Sequence, residues 1–169
     1  FAKPYPKNGT AAHESADEGL EDFLHLYLVN RGVLLTPFHN MVLMCPTTTT
    51  QDVDRHQEVF EAAIKELGGN VVSRDKIKAD SQNFTPVLTN IKSKNPDAIF
   101  FAGYYSDGGQ LRAQQMALGI KADFIGGDAN DNPDFMKLAG ASAEGAYLIN
   151  VPTPELLPYD LAKDFLKSY

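Results

Sequence analysis

Residues 95–119, NPDAIFFAGYYSDGGQLRAQQMALG, contain the pattern that decides the fold. The first part, DAIFFAG, is a short and strongly apolar run, which is typical of a buried strand. The second part, SDGGQLRAQQMALG, predicts a helix that ends at Gly119, because glycine commonly follows the last residue of a helix. A strand followed at once by a helix indicates one unit of an α/β protein.

The alternation of strands and helices continues on both sides of this unit. The predicted strands are MVLMC (41–45), NVVSRDKI (70–77), DAIFFAG (97–103), ADFIGGD (122–128) and GAYLINV (145–151). The helices that follow them are FTPVLTNIKSKN (84–95), SDGGQLRAQQMALG (106–119), NPDFMKLAG (132–140) and PYDLAKDFLKSY (158–169). We therefore predict a single domain over 1–169, with a doubly wound, flavodoxin-like, five-stranded and mainly parallel sheet of order 2-1-3-4-5.

The N-terminal part of the chain predicts a lead-in, a helix and a hairpin. Residues 1–16, with prolines and small polar side chains, suit an extended lead-in. A one-faced amphipathic helix over 17–31 stops at Gly32. Its apolar face consists of Leu20, Phe23, Leu24, Tyr27 and Leu28. VLLT (33–36) and MVLMC flank a short turn and indicate a hairpin or a bent strand pair.

The next helix carries recognisable start and stop signals. Thr49, with Asp52 three residues later, resembles a capping box, and Gly68-Gly69 predicts the C-terminus. The buried stripe between them is predicted to be Val53, Phe60, Ile64 and Leu67.

The composition argues against nucleic acid or an anionic membrane as a partner. Fifteen basic and 22 acidic residues give a formal charge of −7, with both signs interspersed, whereas such partners require a basic face. With 43% hydrophobic residues, the 169-residue chain can bury a core, and no apolar run approaches a membrane span. Phe1 is not followed by a signal-peptide pattern, so we expect a mature or excised form.

Cysteine and histidine spacing predicts no metal and no thiol chemistry. Cys45 is the only cysteine, which excludes an intrachain disulfide or a cysteine cluster. It ends an apolar run, so we expect a buried strand residue. The alternative, a catalytic thiol, would need a base, and nothing holds His39 beside it. The four histidines lack ligand-like spacing: His13, His25, His39 and His56.

The string LHLYLVNRGVLLTPFHNMVLMCPTTTTQDVDRH (24–56) lies in a segment, 17–67, that resembles the C-terminal end of class III aminotransferases. These are pyridoxal-phosphate-dependent enzymes of the glutamate-1-semialdehyde aminotransferase-like group. In that family the Schiff-base lysine and the phosphate-binding loop lie in the large domain, which this segment does not match. The resemblance therefore implies no transaminase activity and no cofactor.

Residues 66–169 resemble the second lobe of type I periplasmic binding proteins, the branched-chain amino-acid receptors. The matching strings are GGNVVSRDKI (68–77), FTPVLTNIKSKNPDAIFFAGYYSDGGQLRAQQMALGI (84–120), FIGGD (124–128) and AEGAY (143–147). This resemblance covers more than half of the chain and implies a small-molecule binding lobe.

The two resemblances meet in EAAIKELGG (61–69), a helix end common to both families. We interpret the chain as an aminotransferase-derived segment, 1–67, joined to a receptor-derived segment, 68–169. Natural fusions usually join whole domains through linkers, whereas this join lies inside a helix, which favours an engineered chimera. A natural gene fusion is the alternative.

Tyr104 and Asp128 are the candidate ligand-binding residues. Each follows a predicted strand at its carboxyl end, where open α/β sheets bind ligands. The receptor resemblance implies that Tyr104 contacts the ligand and that Asp128 receives its ammonium group, a task that suits a carboxylate. The alternative is structural, with Tyr104 covering the core and Asp128 in a turn.

Three other patterns are assigned structural roles. The helix start near Gly108-Gly109 would suit an anion, but the spacing favours a tight turn. GGDAND (126–131) is rich in oxygen ligands, but it lacks a calcium-loop pattern and favours Asx turns. The lysines lie among polar neighbours without a phosphate loop, as ordinary solvated charges: Lys65, Lys76, Lys78, Lys92, Lys94, Lys137 and Lys163.

The sequence thus predicts a non-enzyme without metal or cofactor, and an engineered chimera without native activity is the main interpretation. The first alternative is a module that binds a small aliphatic amino acid weakly, and the second is an aminotransferase fragment. The receptor-derived part resembles a periplasmic protein, and neither nucleic acid nor membrane is expected as a partner. Oligomeric state and cellular location are left open.

Overall fold

The computed structural model describes residues 9–36, 42–150, 157 and 159–168. The chain divides into two compact units, Phe1–Val71 and Val72–Tyr169. The predicted join at 67/68 lies close to this division.

The first unit is built from helices. They are α1 (Gly9–Glu14), α2 (Glu18–Val29) and α3 (Thr50–Glu66). Asp17 caps α2 by accepting a hydrogen bond from the Leu20 amide, and Gly32 follows the helix with a positive φ of 80°. The predicted capping box is confirmed, because Thr49 and Asp52 exchange side-chain and backbone hydrogen bonds at the start of α3. Helices α2 and α3 share one apolar core: Leu24, Leu28, Val33, Leu35, Val59 and Ala63.

The predicted buried stripe of α3 is displaced by about one position. Val59 and Ala63 face the core, whereas Phe60 and Ile64 are only half-buried and Leu67 is exposed. The small side chain of Ala63 lets the two helices approach, a role that a count of large apolar residues does not reveal. On α2, Leu24 and Leu28 are buried as predicted, but Leu20 is exposed.

Three further expectations for the first unit are wrong. Residues 33–36 and 42–45 form no strand, and Leu43 is 87% exposed; Met41 lies outside the described residues. Cys45 is exposed rather than buried in a strand. Residues 9–14 form helix α1 instead of an extended lead-in. The apolar run lacks a neighbouring strand among the described residues, and a strand depends on such pairing.

The second unit contains a parallel sheet. Its strands are β1 (Ala98–Phe101), β2 (Asp123–Gly126) and β3 (Ala146–Leu148), in the order β1-β2-β3. Phe101 is level with Gly126, and Gly126 is level with Leu148. The last three predicted strands are therefore adjacent and parallel, as expected. The helices are α4 (Thr85–Ser93), α5 (Tyr105–Ala117), α6 (Pro133–Ala139) and α7 (Asp160–Ser168), with 3-10 turns at Asp128–Asn130 and Gly140–Ala143.

The complete order 2-1-3-4-5 is not confirmed, because residues 70–77 are irregular. Other contacts occupy this segment: Ile77 packs against the core, and Asp75 accepts a hydrogen bond from Asn90 of α4 at 2.8 Å. Within the described part of the chain, the sheet therefore has three strands, and β1 lies at its edge.

Aromatic side chains fill the core of the second unit. Phe124 is fully buried, and its ring centroid lies 6.1 Å from that of Phe101 and 6.0 Å from that of Phe135. Phe84 and Leu88 close the core from the α4 side, as the helical spacing predicts. This packing holds the carboxyl ends of β1 and β2 on a rigid base.

Buried polar side chains of α5 anchor the turns around the sheet. Arg112 donates from Nε to the Ser142 carbonyl at 2.8 Å and from a terminal nitrogen to the Glu144 carbonyl at 3.0 Å. Burial lowers the pKa of the Arg112 guanidinium, and Asp123 opposes this effect through its charge. Gln115 donates to the Ala122 carbonyl at 2.7 Å, just before β2. These hydrogen bonds satisfy carbonyl groups that are partly or fully buried and therefore have less access to water.

Candidate functional site

The candidate site lies where β1 and β2 end. Because Phe101 and Gly126 are paired in register, the two parallel strands end at the same level. Tyr104 follows β1 by three residues, and Asp128 follows β2 by two. The topology therefore brings both predicted residues to the carboxyl-terminal end of the strands, where open α/β sheets bind ligands.

Tyr104 immediately precedes helix α5. Its backbone is extended, with φ −91° and ψ 157°, and its carbonyl accepts the amides of Asp107 at 3.1 Å and Gly108 at 2.9 Å. The side chain is 71% exposed, so it does not cover the core. A tyrosine on a backbone held in this way presents an apolar ring and a hydroxyl to solvent.

Asp128 begins the short 3-10 turn after β2. One carboxylate oxygen, Oδ1, accepts the amide of Ala129 at 2.8 Å, which orients the group. The side chain is exposed, and within the described residues the Asp128 carboxylate makes only the hydrogen bond through Oδ1. This carboxylate is thus both oriented and available to a cationic ligand group.

A third residue, Asn130, joins the two loops and was missed by the sequence prediction. It is fully buried, and its Nδ2 donates to the carbonyl of Gly103 at 2.8 Å. The pattern GGDAND (126–131) was interpreted as a loop with Asx turns, and the structure forms a 3-10 turn at Asp128–Asn130 within it. The Asx-type hydrogen bond is made by the next residue, Asn132, whose Oδ1 accepts the Asp134 amide at the start of α6. No local signal separates the fully buried Asn130 from the half-buried Asn132.

Helix α5 also holds the loop before α4. Asp107 is buried, and its Oδ2 accepts the amide of Asp80 at 3.4 Å. Gln114, two turns later on the same face, accepts the Phe84 amide at 2.8 Å and donates to the Gln82 carbonyl at 3.1 Å. The sequence prediction did not identify these contacts, because they join residues about thirty positions apart.

The alternative anion site at the start of α5 fits the structure poorly. Asp107 places a buried carboxylate in the first turn, where a bound anion would be repelled. Gly108 and Gly109 are buried in the helix, and a Cβ at Gly109 would lie 2.7 Å from Leu138 Cβ. Close packing against α6, rather than a tight turn or an anion, explains this glycine.

The described residues contain no group of three or more acidic, histidine or cysteine side chains that would hold a metal ion. No described helix is long and apolar enough to span a membrane. Lys137 donates to Asp134 at 2.6 Å, and this hydrogen bond raises the pKa of Lys137. A Schiff-base lysine requires the opposite shift.

The exposed Cys45 has a distinct local environment. Its sulfur lies 3.1 Å from Thr47 Oγ1 and 3.5 Å from Thr48 Oγ1. These hydrogen bonds, with Thr47 the larger contributor, lower the pKa of the thiol to about 7. His39, considered as its base, lies outside the described residues.

Comparison with known proteins identifies one family. A model described as periplasmic binding protein matches residues 48–169. The Leu/Ile/Val-binding protein homolog 3 of Brucella melitensis is 28% identical over 111 residues, which are 66% of this chain and 30% of that protein. The Leu/Ile/Val/Thr-binding protein of Salmonella typhimurium is 35% identical over 82 residues, which are 48% of this chain and 22% of that protein.

Solved structures agree with these sequence relatives. A leucine binding protein from Thermotoga maritima superposes with a TM-score of 0.58 at 29% identity, over 69% of this chain and 33% of that one. A branched-chain amino acid substrate-binding protein of Streptococcus pneumoniae, in complex with isoleucine, gives 0.56 at 29% identity over the same shares. The chain thus spans a third or less of the length of these relatives.

The comparisons correct the interpretation of residues 1–67. The family match begins at residue 48, well before the predicted join at 67/68. The helix that ends in EAAIKELGG therefore belongs with the receptor-like part. Neither an aminotransferase-derived segment nor an engineered chimera is supported.

Proposed function

This chain belongs to the periplasmic binding protein family, and we propose that it binds a small aliphatic amino acid at the sheet edge that carries Tyr104 and Asp128. One observation supports this assignment above the others. An oriented, exposed carboxylate and an exposed aromatic ring follow the level ends of two neighbouring parallel strands. The relatives are named for binding leucine, isoleucine and valine, and none of those names describes an enzyme.

The two side chains suit different parts of such a ligand. Oδ2 of Asp128 accepts hydrogen bonds from the ammonium group, since a charged donor and a charged acceptor form the stronger class of hydrogen bond. The ring of Tyr104 contacts the aliphatic side chain. The single-domain organisation over 1–169 is part of the same proposal.

The affinity of the 169-residue chain should be low. Because Asp128 is exposed, its ion pair with the ammonium contributes roughly 0–1 kcal/mol. Millimolar affinity already corresponds to about 4 kcal/mol. The receptor resemblance assigns the partners of the ligand carboxylate to the other lobe, so the dissociation constant is expected to be millimolar or weaker.

An NMR titration of the isotope-labelled chain with leucine, isoleucine and valine tests the proposal. The expected result is saturable shifts at the amides around Tyr104 and Asp128. Asp128→Asn removes the charge with little change of shape and should weaken leucine binding by up to about fivefold, as expected for an ion pair worth up to about 1 kcal/mol. N-acetylleucine, which lacks the ammonium, should bind more weakly than leucine to a similar extent. Equal binding of leucine and N-acetylleucine would contradict ammonium recognition. Micromolar binding that Asp128→Ala abolishes would show that the low-affinity argument is wrong.

A further inference from the structure

We propose that Asn130 is a positioning residue for this ligand site, an inference that rests on the function proposed above. Its side-chain amide connects the loop that carries Asp128 to the loop that carries Tyr104. The donor Nδ2 lies 2.8 Å from the carbonyl of Gly103, the residue immediately before Tyr104. Asn130 itself lies two residues after Asp128 in the same 3-10 turn.

The backbone of Asn130 is held as firmly as its side chain. Its amide donates to the Gly127 carbonyl at 3.0 Å, and its carbonyl accepts the Asn132 amide at 2.9 Å. The side chain therefore extends from a turn whose backbone is fixed by its own hydrogen bonds. Because the turn is fixed, the bond from Asn130 to Gly103 holds the two loops at a set distance from each other. The position of Asp128 relative to Tyr104 follows from this link.

Two glycines leave the space that the Asn130 side chain occupies. A Cβ on Gly108 would collide with Oδ1 of Asn130, and a Cβ on Gly126 would lie 3.0 Å from Cβ of Asn130. Gly126 is the last residue of β2, and Gly108 lies in the first turns of α5. Both elements therefore approach the asparagine closely because each carries glycine at the contact.

An amide side chain at position 130 indicates a role beyond packing. Within the described residues, Oδ1 of Asn130 is buried without a hydrogen-bond partner, which is unfavourable for the folded state. An apolar side chain would avoid that cost if the position served only packing. The asparagine offers a donor, Nδ2, that an apolar side chain lacks, and within the described residues this donor bonds to the Gly103 carbonyl.

Two variants separate positioning from packing. Asn130→Leu keeps a branched side chain of similar shape but removes the donor, so stability is expected to change little while the loops lose their link. Gly108→Ala acts from the opposite side, because the added methyl group displaces Oδ1 although alanine favours the helix. Asn90→Ala is the matched control, since it removes an exposed amide that bonds to Asp75.

The test compares leucine titrations of these proteins by NMR, each at a temperature where circular dichroism shows it folded. For Asn130→Leu and Gly108→Ala we expect ligand-free shifts at both Tyr104 and Asp128. We also expect leucine binding about fivefold weaker, which corresponds to roughly 1 kcal/mol. Asn90→Ala should bind leucine like the wild type. Wild-type affinity in both site variants would overturn the positioning role.

Two readouts that do not require leucine binding, the ligand-free shifts and amide proton exchange, separate failure of the positioning role from failure of the proposed function. If the wild type shows no leucine-dependent shifts, the proposed function fails, whereas the ligand-free shifts at both loops still report the link. If a variant does not fold, hydrogen exchange of the Asn130 side-chain amide protons in the wild type tests whether the bond to Gly103 is present. Slow exchange supports the buried hydrogen bond to Gly103, and exchange at the rate of an exposed asparagine contradicts it.

Discussion

Replacement of Phe124 by alanine should remove one of the largest side chains of the core beneath the candidate site. Phe124 is fully buried between Phe101 and Phe135, at ring separations of 6.1 and 6.0 Å. Truncation of a buried phenylalanine typically lowers the free energy of unfolding by about 3–5 kcal/mol, because apolar contacts are lost and a cavity forms. That loss is a large part of the roughly 5–15 kcal/mol by which a domain is stable.

Urea unfolding followed by circular dichroism measures this loss. Phe100→Ala is the matched control, because Phe100 lies on the neighbouring strand but is 66% exposed, so its removal should change stability by less than about 1 kcal/mol. If Phe124→Ala does not fold, Phe124→Leu should fold, with a smaller loss than Phe124→Ala because most of the apolar side chain remains and the cavity is smaller. Equal losses for Phe124→Ala and Phe100→Ala would refute the described packing.

Three further predictions concern the helical unit and the whole chain. Thr49→Ala should lower the free energy of unfolding by about 1 kcal/mol through loss of the α3 cap. Hydrogen bonds from Thr49 lower the pKa of Asp52, so the charged Asp52 stabilises the folded state. The melting temperature of the wild type should therefore exceed that of Asp52→Asn at pH 7, and the difference should vanish as the pH falls through the lowered pKa. Alkylation of Cys45 by iodoacetamide should reach half its maximal rate near pH 7, and Thr47→Ala should move that midpoint upward; a wild-type midpoint near the ordinary thiol value of about 8.5 would contradict the hydrogen bonds. If the two units form one domain, calorimetry should give a single unfolding transition, and two transitions would contradict this proposal.

Much of the second unit could be predicted from local patterns. The apolar run before Gly103, the helix that ends at Gly119 and the inward face of α4 each carry their own signal, and the structure confirms them. The placement of Tyr104 and Asp128 follows from the same reasoning, since two successive parallel strands must end at one edge. Their role as ligand contacts stays a prediction.

The remaining features depend on partners that local patterns do not specify. The strand predicted over 70–77 is absent, although Ile77 packs against the core and Asp75 accepts a hydrogen bond from Asn90. Side-chain contacts hold this segment in place without the backbone pairing that defines a strand. Short apolar runs do not reveal whether a neighbouring strand is available. Asn130 went unrecognised for a similar reason, because its value lies in a hydrogen bond to a residue 27 positions earlier.

Intermolecular nuclear Overhauser effects between methyl-labelled leucine and the wild-type chain test the central claim most directly. Because Tyr104 and Asp128 are proposed to contact the side chain and the ammonium of the same ligand, the leucine methyl groups should show effects to the Tyr104 ring. Weak affinity does not prevent this measurement, since a millimolar ligand can be supplied in excess. Effects from leucine methyl groups to the Tyr104 ring, weaker in Asp128→Asn at the same leucine concentration, are the result that the account predicts. Saturable leucine binding with effects confined to other surfaces, such as the groove lined by Val42 and Val53, would contradict it.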